Sequence, residues 1–283
     1  LNSIALTIPS YFCDRPLDVQ SRLPSADVSG EGTGKVGPRA QASQTEQPKQ
    51  LSQTEEPKQI DVTPDLWPFT SQFATSRAAL EKVLSIRRQV FPEPIVPDDV
   101  YEACWYKNNY TMKVVLDPEG AAVGYWSLIP ITRESFDRFI AGKCAHRDML
   151  ENHCVPWDHT DRTALFVYIV GVVVPGSISH AYRTMLDLFS FSRTLLGLAT
   201  VWGICGYPHT KEGDVHFKRQ GFNDHKQKAP GEKDYPIYSV QGNDAACLCR
   251  RLGAYAHGDT FLDKRPEWNP EDYAHFVGLF PSD

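Results

Sequence analysis

From about Asp65 onward, apolar residues recur at regular intervals, and the interval changes from segment to segment. Between Ser71 and Val90, the residues Phe73, Leu80, Val83, Leu84 and Ile86 follow helical spacing. Arg87 and Arg88 close that stretch, where cations suit a helix dipole, so one helix is expected over 71–90. Pro92, Pro94 and Pro97 break it, and Asp98 and Asp99 open a second, short helix ending near Asn108. Thr111 to Leu116 reads as a strand, Asp117 to Gly120 as a turn, and Ala121 to Ile129 as the hairpin partner. Thr132 to Gly142 is an amphipathic helix with Thr132 as cap, Phe136, Phe139 and Ile140 as its face, and Gly142 as its stop.

The most apolar run is Ala164 to Val174, ALFVYIVGVVV. Its β-branched content predicts a fully buried central strand. Simple alternation would place Tyr168, Val170 and Val172 on one face. Pro175 and Gly176 end the strand, and a long helix is expected over 177–196, with Ser177 or Ser179 as cap and Gly197 as terminator. Ala199 to Cys205 is a second buried strand, Lys211 to Gln220 a short helix stopping at Gly221, Tyr235 to Val240 a strand, and 244–255 a helix. The aromatic and proline-rich C-terminal stretch is expected as ordered coil. Phe166, Ile169, Val173, Leu186, Leu195, Val201 and Ile204 are the predicted core, and Cys205 a small core residue.

Pro24 to Asp61 is built differently. It is rich in Ser, Gln, Glu, Lys, Pro and Gly, and carries a tandem repeat, SQTEQPKQ at 43–50 and SQTEEPKQ at 52–59. Such a segment buries too little apolar surface to offset its ordering entropy, and two polar copies make no solenoid. The expected organisation is a flexible segment over 1–62 and a folded domain over 63–283, with a C-terminal extension from about 245. The chain carries 29 Lys and Arg against 35 Asp and Glu, a net charge of −6, which argues against a bulk nucleic-acid binder. No apolar run is long enough to span a bilayer. The first residues lack a basic and then apolar leader pattern, and the seven scattered cysteines fit a reducing compartment, so a cytoplasmic protein is expected.

Candidate chemistry is sparse. His146, His153, Cys154, Asp158 and His159 are metal-ligand types, but their spacing matches no zinc pattern, and no metal is expected. The motifs G-x-S-x-G, the P-loop lysine, H-E-x-x-H and G-x-G-x-x-G are absent. Glu212 and Asp214 are explained as charges at a helix N-terminus. The turn over 174–183 joins a buried strand to a helix N-terminus, whose N–H groups and dipole suit an anion.

Three segments in order resemble the GNAT superfamily of acyl-CoA N-acyltransferases. Val123 to Thr132, VGYWSLIPIT, is similar to the family's G-Y-x-x-hydrophobic-P-L-T strand. Phe166 to Pro175 with its following helix occupies the place of the central motif, and Phe217 to Phe222, FKRQGF, is similar to Y-x-K-x-G-F. The resemblance covers about 65–240 and implies an α/β (α+β) fold with a mixed, mainly antiparallel central sheet flanked by helices. It implies that acetyl-CoA or another acyl-CoA pairs with strand residues Val172, Val173 and Val174. The pyrophosphate would rest on Ser179, His180, Ala181, Tyr182 and Arg183. An amine-bearing small molecule or protein would be the acceptor, and the acidic balance favours a cationic one. The family's Arg/Gln-x-x-Gly-x-Gly/Ala loop is replaced by Ile178, Ala181 and Arg183, and its Tyr general acid by Phe217. His209 and Tyr168 are the expected proton-handling residues, with His216 and Tyr207 as further candidates. A glutamate at Ala181 is expected to lower acyl-CoA affinity by more than about tenfold, with little change in melting temperature. The departures also leave open a second function class, a non-catalytic interaction module on the same fold.

Overall fold

An eight-stranded sheet in the order β6-β7-β5-β4-β3-β2-β1-β8 organises the protein. The computed structural model describes residues 69–91, 96–176, 178–231, 234–256, 267–268 and 270–280. The predicted flexible segment 1–62 and the Ser177 cap lie outside them. The strands are β1 (Thr70–Phe73), β2 (Met112–Leu116), β3 (Ala122–Ile131), β4 (Leu165–Val173), β5 (Val201–Gly206), β6 (Asn223–Asp224), β7 (Tyr238–Gln241) and β8 (Glu267–Trp268). The pairs β1–β2, β2–β3, β3–β4, β5–β7 and β6–β7 are antiparallel, and β4–β5 and β1–β8 are parallel. The mixed, mainly antiparallel sheet flanked by helices is the fold class expected from the sequence.

Helices α1 (Arg77–Val90), α2 (Asp98–Lys107), α3 (Arg133–Ile140) and the short α4 (His146–Asp148) precede β4, and α4 runs on as a π-helical turn over Met149–His153. Helices α5 (Ile178–Leu198), α6 (Lys211–Arg219), α7 (Asn243–Ala256) and α8 (Pro270–Gly278) follow it. The sheet separates two apolar cores. Leu80, Val83 and Leu84 of α1 pack with Tyr125, Ile129, Tyr168 and Val170 on one face. Met185, Leu186 and Phe189 of α5 pack with Trp126, Leu128, Val167 and Ile204 on the other, where Leu248 and Cys249 of α7 join them.

Local chemistry fixes most element ends. Thr132 caps α3 by accepting from the Ser135 amide at 3.2 Å, and Gly142 follows its end with φ +68°. Thr210 caps α6 in the same way through the Gly213 amide, and Gly221 follows with φ +83°. Glu212 and Asp214 stand in the first turn of α6. Gly124 is required by packing: a Cβ there would lie 2.3 Å from Thr184 Oγ1 of α5.

Several expectations are corrected. The single helix over 71–90 is a strand followed by a helix. Ser71 and Phe73 are buried and Thr70 is exposed, a period of two that the longer helical pattern hides. Ser76 then caps α1 through the Ala79 amide. Gly197 does not terminate α5, which includes it and ends at Leu198. The strand expected from Tyr235 is β7, which begins at Tyr238. The C-terminal coil contains α8, whose Phe276 is buried against Phe73, Trp157 and Phe191. Ile169 is half-buried, because it lines a cavity; the other predicted core residues are buried.

Candidate functional site

The site begins with a fault in the sheet. Strand β4 pairs with β3 from Phe166↔Ile131 through Ile169↔Leu128, then resumes at Gly171↔Ser127. Val170 is therefore an extra residue, a β-bulge, which bends and twists its strand. The bulge also resets the side-chain phase. Tyr168 and Val170 face the α1 core, whereas Val172 faces the α5 core and Val173 returns to the α1 side. The expected shared face of Tyr168, Val170 and Val172 is thus broken. An all-apolar strand carries no alternation from which such a reset could be read.

The bulge coincides with the end of pairing on the other edge. The parallel ladder between β4 and β5 stops at Ile169↔Gly206, although β4 continues to Val173. Among the described residues, 170–173 therefore present an edge with no strand beside it. Gly206 sits at the apex, where a Cβ would come within 3.2 Å of the Ile169 carbonyl and of the Phe217 ring.

A cavity of about 160 Å³ occupies the parting. It is lined by Val170, Gly171, Val172 and Val173 of the unpaired edge, and by side chains from both faces of the sheet. It therefore passes through the sheet rather than resting on one side. On the α1 side its wall is polar and aromatic: Arg87, Tyr101, Tyr125, His146, Tyr207 and His209. On the α5 side it is made of aliphatic and aromatic groups, including Met185, Leu188, Phe189, Leu248 and Leu252.

The polar wall is a cluster of rings. His146 Nδ1 and the Tyr168 hydroxyl share a hydrogen bond of 2.6 Å. The His209 ring lies 5.2 Å from that of His146 and 4.6 Å from that of Tyr207, centroid to centroid. Burial, helped by electrostatic coupling to His209 and by the Arg87 charge, pushes the His146 pKa well below its usual range. Burial and Arg87 likewise bring His209 down to about 4. Both rings are thus neutral at physiological pH. His209 Nδ1 is buried and has no hydrogen-bond partner among the described residues. Arg87 is held by the Asp98 carboxylate and the Val96 carbonyl, with its guanidinium 4.2 Å from the Tyr101 ring centre.

Of the sequence-predicted residues, His209, Val172 and Val173 line the cavity, and Val174 is buried just beyond the strand end. Tyr168 is fully buried and stands behind His146. His216 lines the cavity from α6, with its pKa pushed down to about 4 by burial and by Arg219. Ser179, His180, Ala181, Tyr182 and Arg183 form the first turns of α5. Ser179 and His180 are half-buried, and His180 meets the Phe69 ring edge-on at 5.9 Å. Burial lowers the His180 pKa and raises that of Tyr182 to about 12. Arg183 is turned inward, 1% exposed, with its guanidinium 5.4 Å from the Phe69 ring centre, and burial brings it down to about 10. Ala181 is 1% exposed, so a glutamate there would force a charge inside the fold, and the expected sparing of stability is corrected.

Phe217 stacks on Tyr238 at 5.1 Å, and the Tyr238 hydroxyl donates to Asp214 at 2.6 Å. His153, one of the considered metal-ligand types, is bonded to Ser135 at 2.9 Å and contacts Cys144. Among the described residues, no group of three His, Cys, Asp or Glu side chains is arranged to hold a metal ion. Sequence reasoning missed Arg87, Tyr101, Tyr125 and the role of His146. The available signal for His146 was one histidine among five polar candidates, with nothing to set it apart.

No family model matches the chain, and no curated protein matches it. Solved structures similar to it include Chaetomium thermophilum Naa20 in complex with a bisubstrate analogue, at 12% identity and TM-score 0.39, covering 73% of this chain and 98% of that one. Arabidopsis thaliana NAA60 in complex with a bisubstrate analogue is similar at 14% identity and TM-score 0.38, covering 62% and 98%. The catalytic domain of Tetrahymena GCN5 histone acetyltransferase in complex with coenzyme A is similar at 11% identity and TM-score 0.35, covering 62% and 92%.

Proposed function

We propose that the protein is an acyl-CoA-dependent N-acyltransferase. The observation that carries this reading is the open edge of β4 over residues 170–173, facing a through-sheet cavity that His209 also lines. An extended, amide-bearing chain such as a pantetheine arm can pair with that edge as a strand would, main chain to main chain. The resemblance of the three sequence segments to acyl-CoA N-acyltransferases points the same way. The N-terminus of α5, directly after β4, offers N–H groups and a positive dipole end to the pyrophosphate, with Ser179 and His180 at its surface.

In the reaction, the acceptor nitrogen attacks the thioester carbonyl carbon, and a tetrahedral oxyanion forms. Backbone N–H groups at the bulge are the donors for it. The carbon–sulfur bond then breaks, giving an amide and the CoA thiolate. His209 takes the proton that the nitrogen loses. Its neutral ring and uncommitted Nδ1 suit that role. Tyr168 and His146 are positioning residues that hold the ring cluster. Phe217 has no proton to give and the Tyr238 hydroxyl is spent on Asp214, so the thiolate takes its proton from water.

The test is calorimetric titration with CoA and acetyl-CoA, followed by thiol release across an amine panel. Micromolar CoA binding with amine-dependent thiol release is the expected result. Absence of CoA binding at millimolar concentration overturns the reading. Binding without turnover on any amine would favour the interaction-module class, which Ile178, Arg183 and Phe217 motivate.

A further inference from the structure

The cavity is chemically two-ended. Its α1-side end carries His146, Tyr207, His209 and Arg87. Its α5-side end runs between α5, α7 and the sheet, among Met185, Leu188, Phe189, Leu248 and Leu252. The Ser192 hydroxyl on that side donates to the Leu188 carbonyl at 3.1 Å and is not offered to a guest. A guest that fits both ends has a polar reactive head and an apolar tail. Size limits the acyl group as a whole: both ends of the cavity together come to about 160 Å³, and a cavity of about 150 Å³ takes a six-carbon guest, so carbonyl and tail must share that space. An acetyl group would leave most of the apolar end empty or wet, and wall atoms that face a void lose their dispersion partners.

We infer that the donor is a medium-chain acyl thioester, with an acyl group of about six carbons whose tail threads the parting of β4 and β5 and rests between α5 and α7. This rests on the acyltransferase reading and adds the class of donor. The carbonyl lies at the bulge, the tail beneath Leu248 and Leu252, and the amine approaches from the histidine side. The reaction balance is unchanged, since the tail takes no part in bond making.

The experiment is a binding series on the intact chain with CoA, acetyl-CoA, butanoyl-CoA, hexanoyl-CoA and decanoyl-CoA. Each methylene buried strengthens binding about fourfold. Hexanoyl-CoA is expected to bind more than tenfold tighter than acetyl-CoA, and decanoyl-CoA no tighter than hexanoyl-CoA. Leu252→Trp, at a half-buried position, narrows the apolar end and is expected to reduce the hexanoyl-to-acetyl ratio severalfold. Met185→Phe serves if that variant does not fold. Equal affinity for acetyl- and hexanoyl-CoA, with CoA itself bound, overturns the chain-length inference and leaves the acyltransferase reading standing. Affinity that keeps rising to decanoyl-CoA overturns the six-carbon limit. No binding of CoA or any acyl-CoA overturns the acyltransferase reading itself.

Discussion

The two faces of the sheet each bury a polar cluster, and the two clusters are built on opposite principles. On the α5 face, Asp187 accepts from Ser71 at 2.6 Å and Lys113 at 3.1 Å through one oxygen, and from Trp126 at 2.6 Å through the other. Lys113 and Asp187 are both essentially inaccessible to solvent, and burial brings the lysine down to about 8. That cluster ties α5 to three strands. On the α1 face, His146, Tyr168, Tyr207 and His209 meet ring to ring, one nitrogen has no partner among the described residues, and the group walls a cavity. A buried charge whose every oxygen is engaged serves cohesion. A buried neutral base with an idle nitrogen costs stability and is kept where chemistry needs it.

Removing Asp187 should have the largest effect of any change to these clusters. Asp187→Ala strands an ammonium, an indole N–H and a hydroxyl inside the core. A loss of about 3–5 kcal/mol is expected, or roughly 10 °C in melting temperature. A shift under about 3 °C by calorimetry would mean that the cluster is not what joins α5 to the sheet.

His209→Ala should do the reverse. It removes an unbonded ring nitrogen, so melting temperature should stay within a few degrees. Thiol release should fall about 100-fold or more, with CoA affinity retained. Equal turnover in the variant would remove His209 from the mechanism and erase the contrast between the faces.

Acid should separate the two faces more gently. His146, His209 and His216 have folded pKa values below the ordinary 6.5, the last two at about 4. Between pH 6.5 and 4 the unfolded chain therefore binds protons that the folded chain refuses. Stability rises with pH where the unfolded state holds more protons, so it is fully present above 6.5 and is lost as pH falls toward 4. Melting temperature should drop by several degrees from pH 7 to pH 5, with a shallower slope in His209→Gln. A flat profile would show the rings are not held neutral by burial.

Element type was legible wherever one period dominated. Thr132, Thr210, Gly142 and Gly221 announce helix ends by chemistry that acts within a turn. The Thr70–Phe73 strand was hidden because Phe73 fits the helical spacing of the residues after it. Asp187 is the lone charge in the apolar stretch Met185–Phe189, a mark of the buried ion pair, yet its partner Lys113 lies 74 residues away. His209 could be placed just after a central strand, and it lines the cavity there. The ring cluster around it joins α4, β4 and the segment after β5, and only the folded sheet brings these together.

The extra residue in β4 has a consequence for length variants. Since Ile169 pairs with Leu128 and Gly171 with Ser127, those two pairs would be consecutive in a chain that lacked Val170. Deleting that residue preserves every other partnership with β3, and each neighbour keeps its inward or outward sense. A single-codon deletion in the middle of a buried strand would ordinarily invert everything beyond it. Here it would instead yield a straighter strand, free to run on beside its parallel neighbour, and a protein that folds with its cleft zipped shut.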